Sequence, residues 1–375
     1  MANTDGFTLL ADGKRAFPAL LSAIGEAKET LVINMFIWRD DAIGNQMGQA
    51  VLSAAERGVK VHLSIDRYGL VLEKAEEAGK SFFHKETTAL ERVKIAALMR
   101  LYPENHRGKQ KDEKTPLYQR MLSHPNITVE KDTFKADHSK FYVIDGKSLF
   151  LGGVNVEDKE NGHDLSGREY GDYMVRIDGA EAVDAFFHKL HTGEDVTRGF
   201  SFSLNTKPPL FPRFEIEDVY LSIIREAERE LFITMAYFSP LPAFVRAITD
   251  AVHRGVTVTV MIPERANFQN DTNRKTVRKL LKKTKGHLCV LLSPRMLHTK
   301  LVMSEKTLSF GSANITKKAF RQLSECNLTL RREDSPFFDA LLENEALLRK
   351  EARRAHADKE IRYRRLYAFF EGFLV

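Results

Sequence analysis

The sequence contains one unit twice, and this duplication constrains the fold more than any other feature. The segment from Ala27, AKETLVINMFIW, has a counterpart from Ala227, AERELFITMAYF. Further along, AERGVKVHLSID from Ala55 has a counterpart from Ala251, AVHRGVTVTVMIPE. In both copies, segments with a helical period alternate with short runs rich in Val and Ile. We therefore predict an α/β fold of two tandem halves, each with a mostly parallel sheet covered by helices.

The length of 375 residues exceeds one ordinary domain core and agrees with two fused halves. The stretch 203–215 contains three prolines and is predicted to link an N-terminal half, 1–202, to a C-terminal half, 216–375. The first copy also has an extra segment at 86–118 with helical apolar spacing. This insertion either packs on its own half or forms a lid or a surface-seeking helix.

The composition is that of a folded protein, with 43% apolar and 29% charged residues. The start, MANTDGFTLL, has no basic stretch followed by an apolar one, and no run of 18 apolar residues occurs. The two cysteines, Cys289 and Cys326, cannot build a disulfide framework. We therefore expect a cytoplasmic protein. Its net charge of +6 is clustered, which favours phosphate-bearing partners.

A matched pair of motifs lies near the end of the two halves, HSKFYVIDGKSLFLGGVN and HTKLVMSEKTLSFGSAN. In each, His-x-Lys opens an apolar strand, a turn follows, and a returning strand ends in Gly-Gly or Gly-Ser before Asn. The residues are His138, Lys140, Asp145, Gly152, Gly153 and Asn155 in the first motif, and His298, Lys300, Glu305, Gly311, Ser312 and Asn314 in the second.

This pattern predicts a site for phosphoryl chemistry. Residues two apart on a strand share a face, so His and Lys point the same way. The small residues allow close approach of backbone and ligand, and Asn then arrives beside the pair. An imidazole, an ammonium and a carboxamide are the groups needed to hold and attack a phosphorus. A single His-x-Lys is a weak signal, whereas two copies in a duplicated fold are a strong one.

With these motifs the chain resembles the phospholipase D superfamily, whose signature is HxK(x)4D(x)6GGxN or GSxN, twice per site. The resemblance covers nearly the whole chain, and MFIWRDDAIGNQM, AERGVKVHL and GDYMVRIDG are most similar to bacterial cardiolipin synthases. It implies two α/β/α halves related by a pseudo-twofold axis, with one shared active site at their interface. It implies neither a metal nor another cofactor.

The resemblance also implies roles for the motif residues. His138 is expected to attack a phosphodiester phosphorus and form a phosphohistidine. His298 is expected to protonate the leaving alkoxide and then deprotonate the incoming alcohol or water. The non-bridging oxygens of the phosphodiester are expected to be held by Lys140, Lys300, Asn155 and Asn314.

Two kinds of acid accompany the motifs in the family. One, downstream of each motif, orients a histidine, and the candidates are Asp172 and Glu325, with Glu169 as a rival to Asp172. The other, Asp145 and Glu305, stabilises the turn. Glu305 departs from the usual Asp, and its hairpin is one residue shorter, which leaves the geometry of the second half open.

Further acids crowd the loop after the first motif, and they lack a histidine partner at metal-binding spacing. We expect a solvated loop and no metal site there. These acids are Glu157, Asp158, Glu160 and Asp164.

The substrates expected from the resemblance are phosphatidylglycerol as donor and a lipid alcohol as acceptor, at an anionic membrane surface. Two basic segments could serve peripheral membrane association, or the first could be a solvated outer helix. The first segment carries Arg274, Lys275, Arg278, Lys279, Lys282 and Lys283. The second carries Arg362, Arg364 and Arg365, interleaved with Tyr363, Tyr367, Phe369 and Phe370. No obligate protein partner is evident.

Two other interpretations keep the fold. A hydrolase or nuclease of the superfamily would cleave phosphodiesters with water, and its basic rows would follow a nucleic acid backbone. A non-catalytic descendant would only bind phosphate groups or lipid, and Glu305 with the shortened hairpin is its sole support.

Overall fold

The computed structural model describes residues 6–76, 80–102, 113–162, 167–207, 213–333 and 335–373. The elements of the first half are β1 Phe7–Ala11, α1 Gly13–Glu26, β2 Thr30–Met35, α2 Ala42–Glu56, β3 Lys60–Ile65, α3 Gly69–Ala75, α4 Ala89–Met99, α5 Pro116–Ser123, β4 Ile127–Glu130, β5 Phe141–Ile144, β6 Ser148–Gly152, a 3₁₀ helix Asp158–Asn161, β7 Tyr170–Gly171, β8 Tyr173–Asp178 and α6 Ala180–Thr192.

The elements of the second half are β9 Phe200–Thr206, β10 Arg213–Phe214, α7 Ile216–Glu226, β11 Glu230–Met235, β12 Phe238–Ser239, α8 Pro242–His253, β13 Thr257–Pro263, α9 Asn270–Lys283, β14 Cys289–Ser293, β15 Met296–Leu297, β16 Lys300–Ser304, β17 Thr307–Gly311, β18 Ile315–Thr316, α10 Lys317–Arg321, β19 Glu325–Arg331, α11 Pro336–Glu351, β20 Arg353–Ala355, a 3₁₀ helix Asp358–Glu360 and α12 Arg365–Phe373.

The duplication appears as two related sheets. The first has the strand order β1-β8-β6-β5-β2-β3-β4, and the second has the order β10-β9-β19-β17-β16-β11-β13-β14-β20. Among the described strands of these sheets, the parallel pairs are confined to β2-β3-β4 and β11-β13-β14. The prediction of mostly parallel sheets is therefore wrong. The strands of each motif, β5-β6 and β16-β17, are joined by short turns, and a short turn can only connect antiparallel strands.

Each sheet lies between two layers of helices, as predicted. Helices α1 and α2 cover the outer face of the first sheet, and α7 and α8 cover that of the second. A central core between the sheets contains α6 and α11. Strand β5 shows the alternation behind this arrangement, because Phe141 and Val143 enter the central core while Tyr142 and Ile144 enter the outer one. The two motif hairpins thus lie on sheets that pack face to face.

The predicted linker 203–215 is not a free connection over the part that the structure describes. Residues 203–206 belong to β9, which pairs with β19 inside the second sheet. Phe202 and Leu204 are buried in the central core, since the sequence alternates apolar and polar residues here. The sheet of the second half thus begins at Phe200, while 208–212 lie outside the described residues.

The insertion at 86–118 contains α4 and the start of α5, and its residues 103–112 lie outside the described range. A capping box of Thr88 and Glu91 begins α4. On its buried side, Ile95 shares a small core with Val71 of α3 and with Phe268 of the second half. The insertion therefore contacts both halves.

No helix among the described residues combines the length and the apolar composition that a segment crossing a bilayer needs.

Candidate active site

The turn acids tie each motif hairpin to the strand beside it. Asp145 accepts hydrogen bonds from the successive backbone N–H groups of residues 28–30, at 2.8 to 3.2 Å. Glu305 accepts from the N–H groups of residues 228–230, at 3.1 to 3.4 Å. Burial opposes ionisation of both acids, but these bonds lower their pKa values. The longer side chain of Glu305 reaches the same three groups from a hairpin one residue shorter, so its departure from Asp leaves the hairpin anchored.

The backbone N–H group of each motif histidine donates a hydrogen bond to a carbonyl of the opposite half. The N–H of His138 donates to the carbonyl of Ser324 at 2.8 Å, and that of His298 donates to the carbonyl of Gly171 at 2.7 Å. A parallel pairing of β15 with β7 supports the second contact. Since Ser324 and Gly171 directly precede Glu325 and Asp172 in the sequence, each histidine is placed beside the acid of the other half.

His138 pairs with Glu325. Its Nδ1 lies 3.0 Å from Oε2 and 3.2 Å from Oε1 of the carboxylate, and Ser312 Oγ donates to Oε2 at 2.5 Å. Burial, together with the charges of Lys140 and Lys300, lowers the pKa of His138 well below its usual value. Burial also raises the pKa of Glu325, to about 8. The imidazole is thus held neutral, with Nε2 available for attack.

His298 is bracketed by two carboxylates. Its Nδ1 lies 2.9 Å from Asp172 Oδ2 and 3.0 Å from Glu160 Oε1. Burial and the charge of Lys300 oppose its protonation, but the two carboxylates outweigh them and raise the pKa of His298. The second histidine therefore favours the protonated form, which suits a proton donor.

The two motif lysines are buried in the same region. Lys140 Nζ donates a hydrogen bond to the backbone carbonyl of His138, in the same motif, at 2.6 Å. Lys300 Nζ donates to Asp172 Oδ2 at 3.3 Å and also to the backbone carbonyl of His298. Burial, followed by the charge of Lys300, lowers the pKa of Lys140 to about 7. This effect between cations of different halves agrees with two motifs that lie close together, among the carboxyl groups of Glu325 and Asp172.

The two motif asparagines have different surroundings. Asn314 accepts a hydrogen bond from the N–H of Tyr237 at 3.1 Å, which leaves its amide donors for a ligand, and it lines the cavity described below. Asn155 is buried, and its Nδ2 donates to Glu157 Oε1 at 3.2 Å. The second asparagine thus faces the cavity, whereas the first is engaged with a protein carboxylate.

The small motif residues make room for protein groups rather than for a ligand. A Cβ at Gly153 would lie 2.2 Å from Asp172 Oδ2. At Gly152 it would lie 2.2 Å from the carbonyl of Tyr173, and at Gly311 2.2 Å from that of Cys326. The expected close approach therefore serves the strands and the acid that orients His298.

Two findings concern the acids of this neighbourhood: one distinguishes Asp172 from its rival Glu169, and the other corrects the expectation of a solvated loop. Glu169 is half-exposed and lies 3.0 Å from Lys14 Nζ, so Asp172 and not Glu169 occupies the orienting position beside His298. The loop after Asn155 is not solvated, because Glu157 and Glu160 are buried.

Partners inside the protein explain this burial. Glu157 is neutralised by Arg39 at 2.6 Å and by Lys159 at 3.3 Å. Asp158 accepts a hydrogen bond from the N–H of Ile43 near the start of α2. Asp164 lies outside the described residues. Glu157 and Asp158 are therefore structural groups of the interior and of its edge, whereas Glu160 lies beside His298.

One trio of side chains has the spacing of metal ligands. The ligand atoms of Glu160, Asp172 and His298 lie within 4.8 Å of one another. Lys300 already supplies a positive charge 3.3 Å from Asp172. The cluster is therefore a charge-balanced setting for a protonated His298.

A cavity of about 900 Å³ opens onto His138 and Glu325, near the upper end of the roughly 300–1,000 Å³ typical of ligand pockets. Its walls are largely apolar and come from both halves, including the insertion and the tail. They include Phe36, Tyr68, Val71, Leu72, Ala97, Leu98, Leu101, Tyr102, Tyr237, Phe268, Leu323, Leu366, Tyr367 and Phe370. Sequence reasoning did not find this cavity, because its walls come from segments far apart in the chain.

Comparisons with known proteins show the family of the chain. Residues 20–190 and 220–343 match the family model described as "Cardiolipin synthase, PLD-like domain". Cardiolipin synthase B of Escherichia coli (strain K12) is 28% identical over 361 residues, which cover 90% of this chain and 78% of that relative. A major cardiolipin synthase of Bacillus subtilis (strain 168) is 25% identical over 341 residues, covering 85% and 64%.

A solved structure shares the fold. The phosphatidylserine synthase of Haemophilus influenzae Rd KW20 superposes with a TM-score of 0.73 at 12% identity, over 98% of this chain and 92% of that one. The fold, the paired motifs and the matched family model lead to the same conclusion: this chain belongs to the cardiolipin synthase family with phospholipase D-like domains.

Proposed function

We propose that this protein is a phosphatidyltransferase that makes cardiolipin from two molecules of phosphatidylglycerol through a phosphohistidine intermediate. The observation that carries the proposal is the position of His138. Its imidazole lines a mostly apolar cavity and is influenced by the charges of two buried lysines, one from each half. A phosphodiester with a polar head and an apolar body fits such a site.

In the first step, Nε2 of neutral His138 attacks the phosphorus of one phosphatidylglycerol. The bond from phosphorus to the headgroup glycerol oxygen breaks, and protonated His298 gives its proton to that oxygen, so glycerol leaves. Glu325 accepts the hydrogen bond from the Nδ1–H group of His138 and stabilises the positive charge that forms on the imidazole during attack.

In the second step, a glycerol hydroxyl of another phosphatidylglycerol takes the place of the departed glycerol. His298, now neutral, removes the hydroxyl proton while the oxygen attacks phosphorus and the bond to His138 breaks. Both histidines return to their starting states, and the net products are one cardiolipin and one glycerol. The apolar walls disfavour water as the competing acceptor.

The negative charge that gathers on the non-bridging oxygens is matched by Lys140 and Lys300. Both ammonium groups are buried, where an electrostatic contact is stronger than in water. Asn314, whose amide donors face the cavity, adds a neutral hydrogen-bond donor. These side chains are in place before the substrate arrives, so little reorganisation is needed during the reaction.

The substrate also implies a peripheral position at an anionic membrane surface. Exposed cations support this position, namely Lys275, Lys279, Lys282 and Lys283 on α9 and Arg362 and Arg365 near the start of α12. Other cations of the two basic segments have structural partners. Arg364 Nη2 lies 2.8 Å from Asp271 Oδ2, and Arg274 Nη1 donates to the carbonyl of Arg362 at 3.1 Å.

The proposal is tested by incubating the full-length protein with phosphatidylglycerol vesicles and, separately, with plasmid DNA. Mass spectrometry of the lipids and an assay of free glycerol should give cardiolipin and glycerol in equal amounts, with intact plasmid. Phosphatidic acid as the main product would instead show a hydrolase, and a cut plasmid with unchanged lipid would show a nuclease.

A further inference from the structure

Two helices that are not part of the duplicated unit contribute walls of the cavity. Helix α4 of the insertion contributes Lys94, Ala97 and Leu98, and helix α12 of the tail contributes Leu366 and Phe370. The motif segments contribute His138 and its partner acid. Two segments outside the repeated α/β units therefore enclose the approach to the reacting histidine.

Both helices also expose large apolar side chains to solvent. Leu90 and Val93 on α4 are 66% and 67% exposed, and Leu366, Phe369 and Phe370 on α12 are 66%, 56% and 50% exposed. Together with Tyr367, they make up six of the ten large exposed apolar residues among the described part of the chain. Such a concentration beside one cavity marks an interaction surface, whereas scattered apolar residues are ordinary.

The tail helix is held in place by polar contacts on its other side. Arg364 pairs with Asp271 of α9 at 2.8 Å, and the N–H of Thr272 donates to Glu371 at 2.7 Å. These anchors leave the apolar face of α12 turned outward. The exposed residues are thus presented by a docked helix and not by a loose chain end.

The insertion helix is docked in a similar way. Its Ile95 is buried against Val71 and Phe268, and Tyr102, which follows the helix, stacks on Phe268 with ring centroids 5.2 Å apart. The apolar side chains at the start of α4 remain on the outer side. Helix α4 therefore presents a fixed apolar surface, as α12 does.

Basic residues border both helices. They are Arg92, Lys94 and Arg100 on α4 and Arg362 and Arg365 near the start of α12. An apolar patch with a cationic rim is the surface chemistry that an anionic bilayer fits, because the apolar side chains enter the acyl region while the cations meet the headgroups.

We propose that the cavity between α4 and α12 receives an acyl chain of the phospholipid that reacts at His138, and that the exposed faces of the two helices enter the bilayer surface. The lipid then passes from membrane to active site between these helices without crossing water. This inference rests on the proposed function and specifies where its substrate binds. A nucleic acid is a poor occupant, because the walls beyond His138 offer mainly aliphatic and aromatic surface.

Photocrosslinking tests the occupant directly. The full-length protein is mixed with vesicles that contain a phosphatidylglycerol carrying a diazirine in one acyl chain, irradiated, digested and analysed by peptide mass spectrometry. Labels are expected on residues 94–102 and 366–370. Labels confined to other peptides would overturn the proposal.

A matched pair of substitutions tests the membrane face. Leu366→Glu places a charge at the mouth, while Leu347→Glu makes the same change at an exposed leucine of α11, 57% exposed and outside the cavity. Losing the burial of one leucine side chain corresponds to a decrease of about 10-fold or more in a binding constant. Leu366→Glu should therefore lower the ratio of activity on long-chain vesicles to activity on monomeric dihexanoyl phosphatidylglycerol by about 10-fold or more. Leu347→Glu should leave the ratio within about twofold, as expected of an exposed site.

The outcomes separate the two proposals. Absence of lipid products from the wild-type protein, with labels still in the cavity, would overturn the transferase and leave the acyl site standing. Normal cardiolipin formation with equal ratios for Leu366→Glu and Leu347→Glu would overturn the acyl site and leave the transferase standing.

Discussion

The Nδ1 atom of His138 lies 3.0 Å from Oε2 of Glu325, an acid that belongs to the other half of the chain. The converse contact joins His298 to Asp172 at 2.9 Å. Each half therefore supplies a histidine and also the carboxyl group that lies beside the histidine of the other half. Neither half by itself contains a complete pair, so the halves must fold together before either imidazole is fixed.

The two histidines should respond differently to the leaving group. With phosphatidylglycerol, His138→Ala should abolish turnover because it removes the nucleophile, and His298→Ala should lower kcat by about 10²–10⁴-fold, the usual contribution of a general acid–base group. A donor with a 4-nitrophenol leaving group needs little protonation, so His298→Ala should regain release of one nitrophenol per enzyme. No such release of nitrophenol is expected from His138→Ala.

Stopped-flow absorbance measures this release, and circular dichroism confirms that both variants fold. A burst from His138→Ala with none from His298→Ala would reverse the two assignments.

Glu160 should set the alkaline side of the pH profile. The enzyme needs His298 protonated, and the carboxylates of Glu160 and Asp172 raise its pKa. Glu160→Gln removes one of these charges, so the fall of kcat/KM at high pH should begin at lower pH. Glu169→Gln is the matched control, because Glu169 lies on Lys14 at the surface. A profile for Glu160→Gln that coincides with this control would contradict the role of Glu160.

Glu325 should set the acid side of the same profile. Burial raises its pKa to about 8 and lowers the pKa of His138, so the pair must lose one proton before Nε2 can attack. In Glu325→Gln only the histidine titrates, and the rise of kcat/KM should move to lower pH. Loss of the orienting carboxylate should also lower the plateau roughly 10–100-fold. An acid limb at the wild-type position would exclude this pair as its origin.

The turn acids should act on stability. Asp145→Asn weakens three charge-assisted hydrogen bonds and should cost about 1–3 kcal/mol at pH 7. The folded pKa of Asp145 is lowered, so its contribution is complete above the unfolded pKa of about 3.9 and is lost as the pH falls through the folded value. The difference in melting temperature from wild type should therefore shrink toward pH 2.

The shorter second hairpin gives a further comparison. Glu305→Asp keeps the charge but loses the reach to residues 228–230, and should cost about 1 kcal/mol. Asp132→Asn, at a side chain 71% exposed, serves as the control for both turn variants. Melting temperatures equal to that control would show that the turn acids do not anchor the hairpins.

The duplicated halves could be predicted from the sequence because helical and strand periods recur in it together with the motifs. The parallel character of the sheets was overestimated, since the rule for alternating helices and strands says nothing of a hairpin that follows the repeat. Residues 203–206, the greater part of β9, were assigned to a linker because of the prolines after them, although Phe200, Phe202 and Leu204 alternate as a strand does.

The site could be predicted only as a set of residues. Spacing identified the histidines and lysines, but the contact of His138 with Glu325 depends on a main-chain hydrogen bond to Ser324, in a segment far away in the sequence. Glu160 was missed because a run of acids predicts solvation. Its loop is buried by the distant Arg39 and by Lys159, whose charges balance the neighbouring Glu157.

The most direct test of the account is to locate the covalent intermediate. His298→Ala is mixed with a 4-nitrophenyl phosphatidyl donor, quenched in denaturant at neutral pH, digested and analysed by peptide mass spectrometry. The account predicts one phosphatidyl group per chain, on the peptide that contains His138, slower labelling when Glu325→Ala is added in the same chain, and none when His138→Ala is added instead. No adduct on the peptide of His138 in this variant, or adducts on both histidine peptides of the wild-type protein, would contradict a single site in which His138 is the nucleophile.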